Sequence, residues 1–355
     1  MGIGMKKVRI LTYCTWTSIG SILQSYALTR TVKSCGYDAT LWLEEQKITK
    51  KKPRPRSVKD CVKGMIKSLV SGQMNLAHQK RQDFIQHYID VDYFPSYKAV
   101  AREAKENPED IYLAGSDQIW HPDKCDPLFF LDFAKESKRV SYAASMGKTE
   151  IPKDREETLR NLLRGFERIS VREKECVDAL RNVTHQNISV HIDPTFLVDT
   201  EAWRSLEKEY PVKEPYILLY MLYWNSECKQ KVLELKKRTA LPVYAICPDV
   251  SRVYADKHLY DVGVEEFLWL VDHAQYVVTS SFHGVAFSIL LRKKFAAVVN
   301  PQLPSRIENI LNVLSVPRVD IGELYRAESF AYDAIFENVE KERQKSIQYL
   351  KEAIG

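Results

Sequence analysis

Four motifs are missing from the 355 residues: G-x-G-x-x-G, the P-loop, H-E-x-x-H and G-x-S-x-G. Dinucleotide redox chemistry, nucleotide hydrolysis and zinc peptidase chemistry therefore lack their usual scaffolds. No apolar run reaches the ~18–20 residues that a membrane span needs. The seven cysteines are odd in number, scattered, and never spaced C-x-x-C. That pattern supports neither a disulfide framework nor a zinc site, so single buried thiols are expected. Lysines 6 and 7 precede a short apolar stretch, but Cys14, Thr15, Trp16 and Thr17 stand where a small-residue cleavage site would fall. The segment reads as a strand rather than a signal peptide, and a cytoplasmic protein is expected.

What is present is ordinary globular composition, 45% apolar and 28% charged, long enough for two domains. The net charge of +5 is unevenly spread. Nine Lys or Arg residues lie between Lys47 and Lys67 against one acid, Asp60. Two readings of segment 47–70 follow. It is a peripheral contact for anionic lipid, or a solvated loop followed by the outer face of a helix. The run lacks interleaved aromatics, so nucleic acid is not an expected partner.

Short apolar strands alternate with helical periods throughout. Val8–Thr12, a helix from Ser21 to Gly36 and Ala39–Leu43 form a first β-α-β unit. A helix is expected from Ser57 through Val70, with Ser57 as its cap. Strands at 111–114, 139–143, 169–171 and 189–192 follow. The pattern restarts with strands at 216–220, 243–246, 275–279 and 295–299, and helices at 229–238, 265–272 and 285–291. A charged terminal helix begins at Tyr332. The class is α/β, with parallel sheets covered by helices and a boundary between 195 and 212.

In such sheets ligands gather at the carboxyl ends of strands. Ser280-Ser281-Phe282-His283-Gly284 lies there, before a helix whose free N–H groups suit an anion. His283 is either a general acid or base or a capping side chain. Arg172 ends a buried strand, where its charge needs an acid such as Glu173 or a ligand anion. Asp117 and Asp193 are strand-end acids that can serve as a base or order a turn, and Asp193 before Pro194 looks like a turn-former. Gln24 can reach a sugar hydroxyl. Arg306 is a further cation near these loops, whereas Arg292 beside two lysines reads as surface. Trp120, Phe129 and Phe130 read as core or cleft wall. The one D-x-D, Asp90 and Asp92, follows a helical stretch and reads as surface.

Together these segments resemble the polysaccharide pyruvyl transferase family. The match includes SIGSILQSYAL, GSDQIWHPD with FFLDF, VSYAASMG, ISVREKE, IDPTFLVD with Trp203, PYILLYML, the long run from Val264 to Leu291, and Arg306. The resemblance implies two Rossmann-like domains facing a cleft in a glycosyltransferase-B-like arrangement. Residues 1–205 would form the acceptor side and 206–330 the donor side, with 331–355 a C-terminal helix. It implies transfer of pyruvyl from phosphoenolpyruvate to two hydroxyls of a lipid-linked or nucleotide-linked sugar, as a cyclic ketal. No cofactor and no metal are expected. It makes His283 the general acid or phosphate ligand, Arg172 a carboxylate or phosphate clamp, and Ser280, Ser281, Gly284 and Arg306 donor contacts. Asp117 and Gln24 fall on the acceptor side. Some members carry arginine where Ser281 stands here. Serine supplies no charge, so either another cation such as Arg306 substitutes or the donor differs. A nucleotide-sugar glycosyltransferase and a non-catalytic membrane assembly factor are the alternatives.

Overall fold

The computed structural model describes residues 5–45, 59–213, 215–246, 254–300, 305–328 and 330–355, with backbone alone for 59–70 and 305. The expected cap Ser57 and the rest of 47–58, the first half of the basic segment 47–70, lie outside the described residues. No helix among the described residues is long and apolar enough to cross a membrane.

Two all-parallel sheets form the frame. The first comprises β1 (Lys7–Leu11), β2 (Asp38–Glu44), β3 (Val91–Phe94), β4 (Ile111–Ala114) and β5 (Arg139–Ser141), in the order β3-β2-β1-β4-β5. β6 (Ile169–Val171) and β7 (Ile188–Val190) pair with each other, and bridges from Val140 to Arg168 and from Ala144 to Val171 fasten them to β5. The second sheet comprises β8 (Ile217–Tyr220), β9 (Val243–Ile246), β10 (Lys257–His258), β11 (Tyr276–Thr279) and β12 (Phe295–Ala297), in the order β10-β9-β8-β11-β12. In each sheet the order reverses beside the first strand, β1 and β8. That is the position where doubly wound sheets open a ligand crevice.

The helices are α1 (Ile19–Ser34), α2 (Lys59–Tyr88), α3 (Tyr97–Glu106), α4 (Glu156–Leu163), α5 (Lys174–Arg181), α6 (Thr200–Arg204), α7 (Ser226–Thr239), α8 (Val264–Asp272), α9 (Phe282–Leu290), α10 (Ser305–Val313) and α11 (Tyr332–Ile354). Ser18 caps α1 by accepting from Ser21 N, and Gly36 at φ +91° carries the chain out beyond its end. α1 is buried on nearly all sides because it lies between the two halves, against α2 on one side and α8 and α9 on the other. Tyr26 on α1 meets Trp203 at 5.4 Å, and Trp203 meets Phe287 on α9 at 4.9 Å. One apolar cluster therefore runs through both halves.

Several expected bounds shift. The helix expected over 57–70 continues to Tyr88, and β3, β10, α3, α4, α5, α6 and α10 add elements. Asp90 and Asp92 flank Val91 at the start of edge strand β3, where Asp92 accepts from Trp42 Nε1. The last helix also does more than end the chain. It starts on the second half, with Asp333 paired to Arg292, and finishes against the first, where Tyr349 donates to Ser141 O.

Candidate functional site

A cavity of about 600 Å³ is lined by residues of both halves. Two helix N-termini meet there. Ser18, Ile19 and Gly20 begin α1, and Ser281, Phe282 and His283 begin α9. Neither helix has an acid in its first turn, so neither dipole is compensated from within its own helix. α9 starts at Phe282, three residues earlier than the apolar spacing suggested, because Ser281 Oγ accepts from Gly284 N and caps it. His283 therefore sits in the first turn rather than in the loop before it.

His283 is 7% exposed, and its Nε2 has no hydrogen-bond partner. That nitrogen lies 3.8 Å from Asp193 Oδ2. Burial holds the imidazole below its usual pKa. Asp193 and Asp117 push it back up, and Arg172 and Arg306 add to the depression. Burial pushes Asp193 up in turn, but the charges of His283 and Arg172 and the N–H of Thr195 outweigh it and hold the carboxyl low.

Arg172 is 3% exposed. Its Nε donates to Glu173 Oε1 at 3.0 Å and its Nη1 to Asp193 Oδ2 at 2.7 Å. Nη2 has no partner, and the guanidinium stacks on Phe282 at 4.3 Å. Arg172 lines a second, smaller cavity of about 280 Å³, and among the described residues only Phe282 lines both. The expected clamp is thus already charge-compensated and does not line the larger cavity. Arg306, on α10, lines that cavity with Asp117 and Arg81. Burial, with help from the charge of Arg172, depresses the Arg306 guanidinium, and Asp117 acts against it.

The remaining expected residues separate clearly. Asp117 reaches the larger cavity from a left-handed backbone (φ +71°) at the carboxyl end of β4. Gln24 does not reach it. Its Nε2 turns back under the β1–α1 loop to Thr12 Oγ1, Tyr13 O and Ser21 O, and the residue is fully buried. Ser280 is also committed elsewhere, its Oγ accepting from Leu222 N and Tyr223 N at 2.8 Å. Gly284 serves packing, since a Cβ there would lie 2.9 Å from Thr279 Cβ and closer still to its hydroxyl. Asp193 orders its turn as expected, with Oδ1 accepting from Thr195 N. Trp120 and Phe130 stack in the core at 5.2 Å, and Arg292 is surface.

Sequence reasoning missed Trp16, His78 and Arg81. Trp16 and His78 meet edge to face at 4.3 Å across the cavity wall. Arg81 donates to Val262 O at 2.9 and 3.1 Å and to Trp16 O at 3.3 Å. His78 and Arg81 lie beyond Val70 on a helix expected to stop there, so no signal drew attention to them. Among the described residues no group of three or more His, Cys, Asp or Glu is placed to hold a metal ion.

A profile described as polysaccharide pyruvyl transferase matches residues 19–301. The chain belongs to the polysaccharide pyruvyl transferase family. No curated protein sequence matches it. Among solved structures, it is similar to the UDP-GlcNAc 2-epimerase of Neisseria meningitidis bound to UDP-GlcNAc. That likeness has a TM-score of 0.54 and 10% identity over 99% of this chain and 98% of the other. HepE of Anabaena, solved in complex with UDP and glucose, gives a TM-score of 0.51 at 11% identity, over 98% of this chain and all of that one. At this identity the likeness shows the fold alone: this pyruvyl transferase family member has the glycosyltransferase-B-like arrangement.

Proposed function

We propose that this family member transfers the pyruvyl group of phosphoenolpyruvate to two hydroxyls of a sugar in a polysaccharide precursor, giving a cyclic ketal. The observation that carries the reading is the meeting of two helix N-termini, neither with an acid in its first turn, with His283 and Arg306 in one cavity. Phosphoenolpyruvate carries about three negative charges at neutral pH, and converging N–H groups with a guanidinium are what such an anion requires. Ser281 then hydrogen-bonds the donor without supplying charge, and Arg306 supplies the charge. Arg172 acts by holding Asp193.

The reaction balances with the groups at hand. His283 protonates the methylene carbon, which becomes a methyl group, and the central carbon turns electrophilic. One sugar hydroxyl adds there and gives its proton back to the imidazole. Phosphate leaves as the second hydroxyl closes the ring, and that hydroxyl's proton departs with the phosphate. Asp117, across the cavity, orients the hydroxyls. The donor is assigned to the second half of the chain and the acceptor to the first.

Thermal stabilisation tests the donor. A ligand at about 100 times its dissociation constant adds about 2.7 kcal/mol. Phosphoenolpyruvate should stabilise the wild type and fail to stabilise His283→Ala or Arg306→Ala. Stabilisation by UDP-sugars and not by phosphoenolpyruvate would replace the donor assignment with a nucleotide sugar and leave the fold as described.

A further inference from the structure

We propose that Asp193 is a positioning residue for His283, fixing the Nε2 edge of the imidazole so that Nδ1 is the nitrogen that works in the larger cavity. The inference rests on the reading of His283 as proton donor. The two edges of the ring face different surroundings. Nε2 looks toward Asp193 Oδ2, 3.8 Å away, and Asp193 lines the smaller cavity but not the larger. Nδ1 lies against Gly20, which lines the larger cavity at the start of α1.

Asp193 is built to stay where it is. It is fully buried, and its two oxygens take four donors from three parts of the chain. Thr195 gives its N–H at 3.0 Å and its hydroxyl at 2.8 Å to Oδ1. Arg172 Nη1 at 2.7 Å and Ser116 Oγ at 3.2 Å reach Oδ2. Arg172 is itself fixed by Glu173 at 3.0 Å, and Glu173 by Ser145 at 2.9 Å. A carboxylate held this firmly orients the imidazole facing it, and a closing of well under 1 Å converts the contact to a hydrogen bond.

The charged groups around His283 are Asp193 and Asp117 on the acidic side and Arg172 and Arg306 on the basic side. Burial and the two arginines work against the imidazolium, and the two aspartates work for it. Removing Asp193 therefore disturbs both the tautomer and the proton affinity. With Nε2 carrying the fixed proton, Nδ1–H goes to the methylene carbon and Nδ1 takes the first hydroxyl proton back, so the ring returns to its starting state.

The test needs no substrate. In full-length protein labelled with 15N-histidine, the His283 ring signals are identified by their loss in His283→Gln and followed through a pH titration. The neutral ring should carry its proton on Nε2, and Asp193→Asn should move the titration midpoint to lower pH. In turnover of phosphoenolpyruvate, Asp193→Asn should lower kcat by about 100-fold with a smaller change in KM, and move the falling limb of the pH profile to lower pH. Asp193→Glu should restore part of the rate. If Asp193→Asn does not fold, Thr195→Val, which removes the hydroxyl donor to Oδ1 and leaves the carboxylate more basic, should shift the midpoint by less and to higher pH. A neutral ring protonated on Nδ1, or an unchanged midpoint in these variants, overturns the proposal. The expected tautomer and shift without turnover of phosphoenolpyruvate would uphold the pairing and overturn the reading of His283 as the donor's acid.

Discussion

At position 20 a hydrogen stands where any other residue would put carbon. A Cβ there would lie 2.6 Å from His283 Cγ and closer still to Nδ1. Alanine in a helix is otherwise favoured over glycine by about 1 kcal/mol. Gly20→Ala therefore sets a gain in helix propensity against the shift of a buried ring, Cγ included, and should remove Nδ1 from its place in the cavity. We expect kcat to fall about 100-fold or more while the thermal midpoint stays within a few degrees. A Tm that falls steeply with activity would instead mean that the helix moves. At this scale the sequence was legible where chemistry follows from position. His283, Asp117 and Arg306 all reach the cavity from strand ends or helix starts near them. Gln24, Ser280 and Gly284 looked equally suitable, yet face a loop, a neighbouring backbone and a strand. Residue type and spacing do not say which way a loop side chain turns. Nothing local to Gly20 shows that a histidine more than 260 positions away packs on it.

The terminal helix α11 was legible as a helix, but not as a tie between the halves. Charged residues at helical spacing look the same whether the apolar side covers one domain or two. Its last turns meet the first half around His191, whose Nδ1 is 3.2 Å from Ser346 Oγ and whose ring lies 4.4 Å from that of Tyr349. Burial, with help from the charge of Lys345, pushes His191 down to about 4. A histidine in the unfolded chain titrates at about 6.5. Between these values the unfolded state binds more protons, so stability rises with pH. The contribution is fully present above about 6.5 and is lost as pH falls toward the folded value, by about 3 kcal/mol at pH 4. His191→Gln keeps a group able to hydrogen-bond Ser346 and has nothing to titrate. Urea midpoints measured from pH 7 to 4 should fall less steeply in this variant than in the wild type. Parallel slopes would place the acid sensitivity elsewhere.

For the molecule as a whole, two sheets and a crevice between them followed from the alternation of short strands and helices, because that pattern admits few topologies. How the halves are fastened did not, because part of the fastening is made by long side chains on α2 reaching backbone carbonyls. Lys80 bonds Asp261 O at 2.9 Å and pairs with Glu266 at 2.8 Å. Arg81 joins Val262 O, ahead of α8, to Trp16 O, ahead of α1. One guanidinium thus ties a helix of the first half, a loop of the second and the wall of the cavity. Charge-assisted bonds of this kind contribute about 1.5–3 kcal/mol each and do not add independently. Arg81→Ala should lower stability by about 2–4 kcal/mol, read as a fall in the urea midpoint. Because Trp16 loses its brace, stabilisation by phosphoenolpyruvate should weaken in the same variant. Arg81→Lys keeps the charge without the paired N–H geometry and should recover only part of either effect. Arg292→Ala, which removes an exposed pair with Asp333, should move the midpoint by less than about 1 kcal/mol and leave ligand binding alone. A loss of stability in Arg81→Ala with phosphoenolpyruvate binding intact would make the seam a structural joint only. Loss of both would mean that closure between the halves and formation of the anion site are one event.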